Sequence, residues 1–61
     1  MIEFKYRGKN QLAVMRNDLF LGTIGISEAD HAFVFLGREE LLSNDLIAIG
    51  NKLNELNENK G

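Results

Sequence analysis

The sequence predicts an α+β domain: a three- to four-stranded antiparallel meander sheet with one C-terminal helix packed on one face. Three observations lead there. Ile2, Phe4 and Tyr6 alternate with Glu3, Lys5 and Arg7, the period-two pattern of a half-buried strand. Leu46, Ile49, Leu53 and Leu56 recur at intervals of three, four and three, which draws one apolar stripe along a helix. Between them lie further apolar runs joined by short links, so successive strands pair with their chain neighbours and the sheet is a meander.

The elements follow in order. After the first strand, Gly8, Lys9 and Asn10 make a turn. Leu12 to Arg16 reads as a second strand, and Asn17-Asp18 as a two-residue hairpin turn, because asparagine tolerates the left-handed backbone that such a turn demands. The third strand spans Leu19 to Ile26 and contains Gly22 and Gly25. Each glycine marks a bulge or a place where a bulky neighbour crosses, and one of them is expected to face the helix. Ser27, Glu28, Ala29, Asp30 and His31 form a polar connection. Ala32 to Leu36, rich in aromatic and branched side chains, is the fourth strand, ended by Gly37 and Arg38. Glu39 to Leu42 then lead, through a short helical turn, into a helix running from Leu42 to Asn59.

Local signals mark the start of that helix. Ser43 reads as its N-cap, a hydroxyl able to accept from a backbone N–H of the first turn. Leu42 and Ile47 stand at the spacing of a hydrophobic staple, and Asp45 complements the positive end of the helix dipole. Asn51, Lys52, Glu55, Glu58 and Asn59 make the opposite, solvated face, before the chain closes on Lys60 and Gly61. Gly50 costs about 1 kcal/mol relative to alanine inside a helix. Its place at the edge of the stripe reads as a close approach to another backbone.

Sixty-one residues make one domain, 1–61. A chain of this size hides only about 60% of the surface it exposes when unfolded, so its core is marginal. Without cysteine it has neither a disulfide framework nor a thiolate metal site, in keeping with a reducing compartment. No apolar run approaches the roughly 20 residues of a membrane span, and Met1 to Lys9 does not read as a signal peptide. A cytoplasmic location is the expectation. The formal charge is −2 but unevenly spread. Residues 1–16 set Lys5, Arg7, Lys9 and Arg16 against Glu3 alone, whereas residues 17–61 set three basic residues against eight acids.

Candidates for chemistry are few. His31 is the single histidine, and with no cysteine it lacks the three or four ligands that a zinc site requires. A triad of Ser27, His31 and Asp30 would have to form inside one loop with no pocket to orient it. Gly22 and Gly25 are followed by no Lys-Ser/Thr pair, so no phosphate loop is present, and Glu39-Glu40 reads as part of the helix entry. The chain therefore reads as a non-enzyme without cofactor or metal. Lys5, Arg7, Lys9 and Arg16 are the candidate contacts for nucleic-acid phosphates. Tyr6 has the opposite parity and reads as core.

The strands carry more apolar surface than one helix can cover. Leu19 and Leu21 share one parity, and Phe20, Ile24 and Ile26 the other. Phe33 and Phe35 likewise alternate with Val34 and Leu36. A sheet with one wet face should alternate apolar with polar. The expectation is a homodimer whose interface draws on the strands, with Leu19, Leu21, Phe33 and Phe35 as candidate interface residues.

The helix carries one resemblance. Ile47, Ala48, Lys52, Leu53, Glu55, Leu56 and Asn57 resemble the Ile-Ala-x-Lys-Leu-x-Glu-Leu-Asn ending of small early-region accessory proteins of tailed phages and prophages, with an additional residue between Ala48 and Lys52. The strand segment from Leu19 to Ile26 is loosely similar, as hydrophobic strand around a Gly-Thr-Ile step. The resemblance implies an accessory protein–protein interaction module in the cytoplasm of an infected cell, with a host or phage protein as partner and no catalytic residue. A nucleic-acid-binding accessory protein using the basic first hairpin is the alternative.

Overall fold

The computed structural model describes residues 1–37 and 40–58. Four strands, β1 (Ile2–Gly8), β2 (Gln11–Arg16), β3 (Leu19–Ser27) and β4 (Ala32–Gly37), precede one helix, α1 (Ser43–Glu58). The strands form a single antiparallel sheet in the order β1-β2-β3-β4, the expected meander. Asn17 and Asp18 link β2 to β3 with φ of 49° and 71°, the left-handed pair of a tight hairpin. Between β3 and β4 the Ser27 hydroxyl accepts from the Asp30 N–H (3.3 Å), and His31 turns the chain with φ of 53°.

The core lies between the sheet and α1. Leu12, Val14, Leu21, Ile24 and Ile49 are buried at its centre, with Ile2, Phe4, Phe33, Phe35, Leu41, Leu53 and Leu56 packed around them. Simple alternation would put Leu21 and Ile24 on opposite faces. A bulge resolves this: the register with β2 shifts between Val14, opposite Gly22, and Met15, opposite Phe20, so that Leu21 is the extra residue and joins Ile24 in the core. Gly22 lies on the same face, and its missing side chain is needed there. A Cβ would meet the Gly37 Cα at 2.5 Å, the Leu36 carbonyl oxygen at 2.6 Å and the Phe35 ring at 2.7 Å. Gly22 therefore lies on the helix-side face, but its nearest neighbours there belong to β4 and not to α1, which is the partner expected for a β3 glycine.

The helix is set differently from the expected stripe. Ile49 is buried and Leu53 and Leu56 are half-buried, but Leu46 is 55% exposed. Its inward place in the first turn is taken by Asp45, 3% exposed, which forms an ion pair with Arg16 of β2. With 3.6 residues per turn, the side chain after Asp45 points about 100° further round, which carries Leu46 outward. Asp45 also accepts from the Leu42 N–H (3.0 Å), while the Leu46 N–H donates to the Leu42 carbonyl (3.1 Å). Leu42 thus holds the cap position, and Asp45 supplies the carboxylate half of a capping box. Ser43, expected to be the cap, is the first helical residue instead.

Other local expectations are corrected in the same region. Leu42 and Ile47, expected as a hydrophobic staple, are both exposed, and Leu42 is the cap itself instead of the residue before it. A Cβ at Gly50 would have nothing within 4 Å, so no backbone approaches there. Lys52, expected on the solvated face, lies over the Phe4 ring with Nζ 5.7 Å from its centroid. Glu40 to Leu42 form no helical turn. The expected roles of Arg38, Glu39, Asn59, Lys60 and Gly61 lie outside the described residues.

The far end of α1 is fastened to β4. Asn57 Oδ1 accepts from the Phe33 N–H (2.8 Å) and Asn57 Nδ2 donates to the Phe33 carbonyl (3.3 Å). One side-chain amide thereby occupies both outward backbone groups of an edge-strand residue, a means of blunting a sheet edge.

Candidate interaction surfaces

Cross-strand register decides what the uncovered face of the sheet presents, since residues opposite each other share a face. One row there is Glu3, Met15 and Phe20, and the next is Lys5, Ala13, Thr23 and Leu36. Gly25 and Val34 follow. Charge is confined to β1, and large apolar side chains lie on the other strands: Met15 on β2, Phe20 on β3, and Val34 and Leu36 on β4. Small residues fill the middle: Ala13, Thr23 and Gly25. The result is a shallow depression of about 340 Å³ lined by Gln11, Thr23, Gly25, Val34 and Leu36 among others. Leu36, which lines it, is 74% exposed, and Phe20, in the neighbouring row of the same face, is 43% exposed.

The candidate interface residues fall elsewhere. Leu21 is a core residue, and Phe33 and Phe35 are half-buried beneath the helix. Leu19 alone of the four is exposed, opposite Arg16 at the end of β2. Exposed apolar side chains do remain on the strands, but the bulge at Leu21, which does not show in the alternation, turns Leu21 into the core. Val34 and Leu36, the fourth-strand residues of the other parity, are the ones on the open face. A second exposed apolar group lies on the first turn of α1, where Leu42, Leu46 and Ile47 face outward.

The basic candidates separate into two kinds. Lys5, Arg7 and Lys9 are exposed on the first hairpin, Arg7 at a second bulge between Tyr6 and Gly8. Arg16 is half-buried and engaged with Asp45, a role that its place among the basic residues of the N-terminal segment does not reveal. Tyr6, expected in the core, is 63% exposed, on the helix-side face but at the β1 margin where the helix does not reach. The side-chain oxygens of Ser27 and Asp30 lie 3.2 Å apart within their loop, and His31 is exposed beside them. No group of three or more His, Cys, Asp or Glu side chains that could hold a metal occurs among the described residues. No described helix is long and apolar enough to cross a membrane.

No protein-family model, curated protein or solved structure matches this chain.

Proposed function

We propose that this chain is a protein–protein interaction module that seats its partner on the uncovered face of the sheet. The observation that carries this reading is the exposed Leu36 on a depression that Thr23 and Gly25 also line, with exposed Phe20 elsewhere on the same face, which has no helix of its own. Large apolar side chains left exposed on an uncovered face point to a contact site. The resemblance of the helix to the ending of accessory proteins of tailed phages supports a host or phage protein as the partner, modulated by being bound. The test is capture from host lysate by immobilised wild type and by a Phe20→Lys/Leu36→Lys chain of equal folded content. The reading expects proteins retained by the first and absent from the second. Identical retention by both chains counts against it.

A second reading rests on Lys5, Arg7 and Lys9, all exposed on one hairpin. Such a cluster can contact nucleic-acid phosphates, and its binding would weaken steeply with salt. The Arg16–Asp45 pair removes one of the four cations first assigned to it, and the hairpin carries Glu3 beside Lys5. Retention of DNA or RNA at about 50 mM salt, abolished by glutamine at the three positions, is the outcome this reading requires.

A further inference from the structure

The two edges of the sheet are treated differently. At β4 the Asn57 amide occupies the outward N–H and carbonyl of Phe33. At β1, among the described residues, no strand or side chain hydrogen-bonds the outer edge. The helix lies nearest β4 and leaves the opposite margin open, which is why Tyr6 at that margin is largely exposed. An open edge is a template for another strand.

We propose that β1 pairs antiparallel with β1 of a second copy of this chain, in the register centred on Phe4. The regular part of β1 runs from Ile2 to Tyr6 before the bulge at Arg7, and Phe4 is its midpoint. In this register Phe4 faces its counterpart on the two-fold axis, while the Ile2–Tyr6 and Glu3–Lys5 pairs each occur twice about it. The apolar rows meet on the helix side, and the charged rows meet on the open side with opposite signs aligned. Neither Glu3 nor Lys5 has an ion-pair partner within the chain among the described residues. A lone lysine on an edge ordinarily repels an incoming strand. Here the segment Ile-Glu-Phe-Lys-Tyr is self-complementary, so the register that aligns the apolar rows also places Lys5 against an acid. The two sheets become one of twice the width, with both helices on one side and the two open faces continuous on the other. The contact is small, so association in the micromolar range or weaker is expected.

This inference concerns an edge and not the open face, and the experiment separates the two. Sedimentation over roughly 10–500 µM, the range for a contact of this size, should show wild type passing from monomer to dimer. Glu3→Lys and Lys5→Glu, each placing like charges opposite one another, should weaken dimerisation by at least about tenfold. An equimolar mixture of those two chains should associate as a heterodimer, because every charged pair is then opposite in sign. The double exchange in one chain should dimerise as wild type does. Leu36→Lys should leave the equilibrium unchanged. A wild type that stays monomeric throughout, charge variants that dimerise normally, or a dimer lost in Leu36→Lys alone would each overturn the proposal.

Discussion

Replacing Asp45 by alanine should destabilise the protein far more than a surface acid would. Its carboxylate serves two groups at once, the guanidinium of Arg16 and the backbone N–H of Leu42. Loss of the N-terminal cap interaction costs about 0.5–2 kcal/mol. Exposed ion pairs contribute about 0–1 kcal/mol, and breaking fully buried ones costs about 3–5 kcal/mol. This pair lies between those limits, since the side chain of Asp45 is 4% exposed and that of Arg16 24%. Together the losses come to about 2–4 kcal/mol, a large share of the roughly 3–9 kcal/mol available to a chain of this length. Asp45→Asn keeps an oxygen for the Leu42 N–H while removing the charge, so it should cost about half as much. The assay is urea unfolding followed by circular dichroism, comparing midpoints at constant slope. Asp45→Ala within about 0.5 kcal/mol of wild type, the range of ordinary surface substitutions, would refute the inward placement of this residue.

Three further substitutions have outcomes set by geometry. Gly50→Ala should raise stability by up to about 1 kcal/mol in the same melts, because the added Cβ enters open space and the helix gains propensity. Gly22→Ala should lower it by about 1–3 kcal/mol or more, since the contacts at 2.5 and 2.6 Å are with backbone atoms that cannot rotate away. Asn57→Ala should cost about 1–3 kcal/mol through two lost hydrogen bonds and release the edge of β4, seen as faster amide exchange at Phe33.

The meander and its helix were legible because they rest on local signals. Alternation set β1, the Asn17-Asp18 dipeptide set the central hairpin, and the spacing of Ile49, Leu53 and Leu56 set the inner side of α1. What escaped depended on contacts distant in sequence. Arg16 and Asp45 are 29 residues apart, and each carries an ordinary local role, a basic strand end and a dipole-complementing acid. In the fold they meet, with Asp45 inward and Leu46 outward. Asn57 and Phe33 are 24 residues apart, and an asparagine near a helix end carries no mark of an edge-strand clasp. The open face escaped for a related reason. One extra residue in β3 exchanges the faces of everything before it, so the sequence shows the surplus of apolar side chains without showing where it lies. Gly22 was the visible trace of that irregularity.

Binding of a partner on the open face of the sheet, as proposed, is open to a direct test. Because the chain has no cysteine, a single introduced thiol reports on one position without interference. The direct measurement is the labelling rate of Leu36→Cys and of Asn54→Cys, in the free chain and in the complex that immobilised protein retains from lysate. Leu36 lies on the open face and Asn54 on the exposed side of α1. The account predicts rapid labelling of both thiols in the free chain and protection of Leu36→Cys alone in the complex. Slow labelling of Leu36→Cys in the dilute free chain, or equal reactivity of the two positions in the complex, would contradict it.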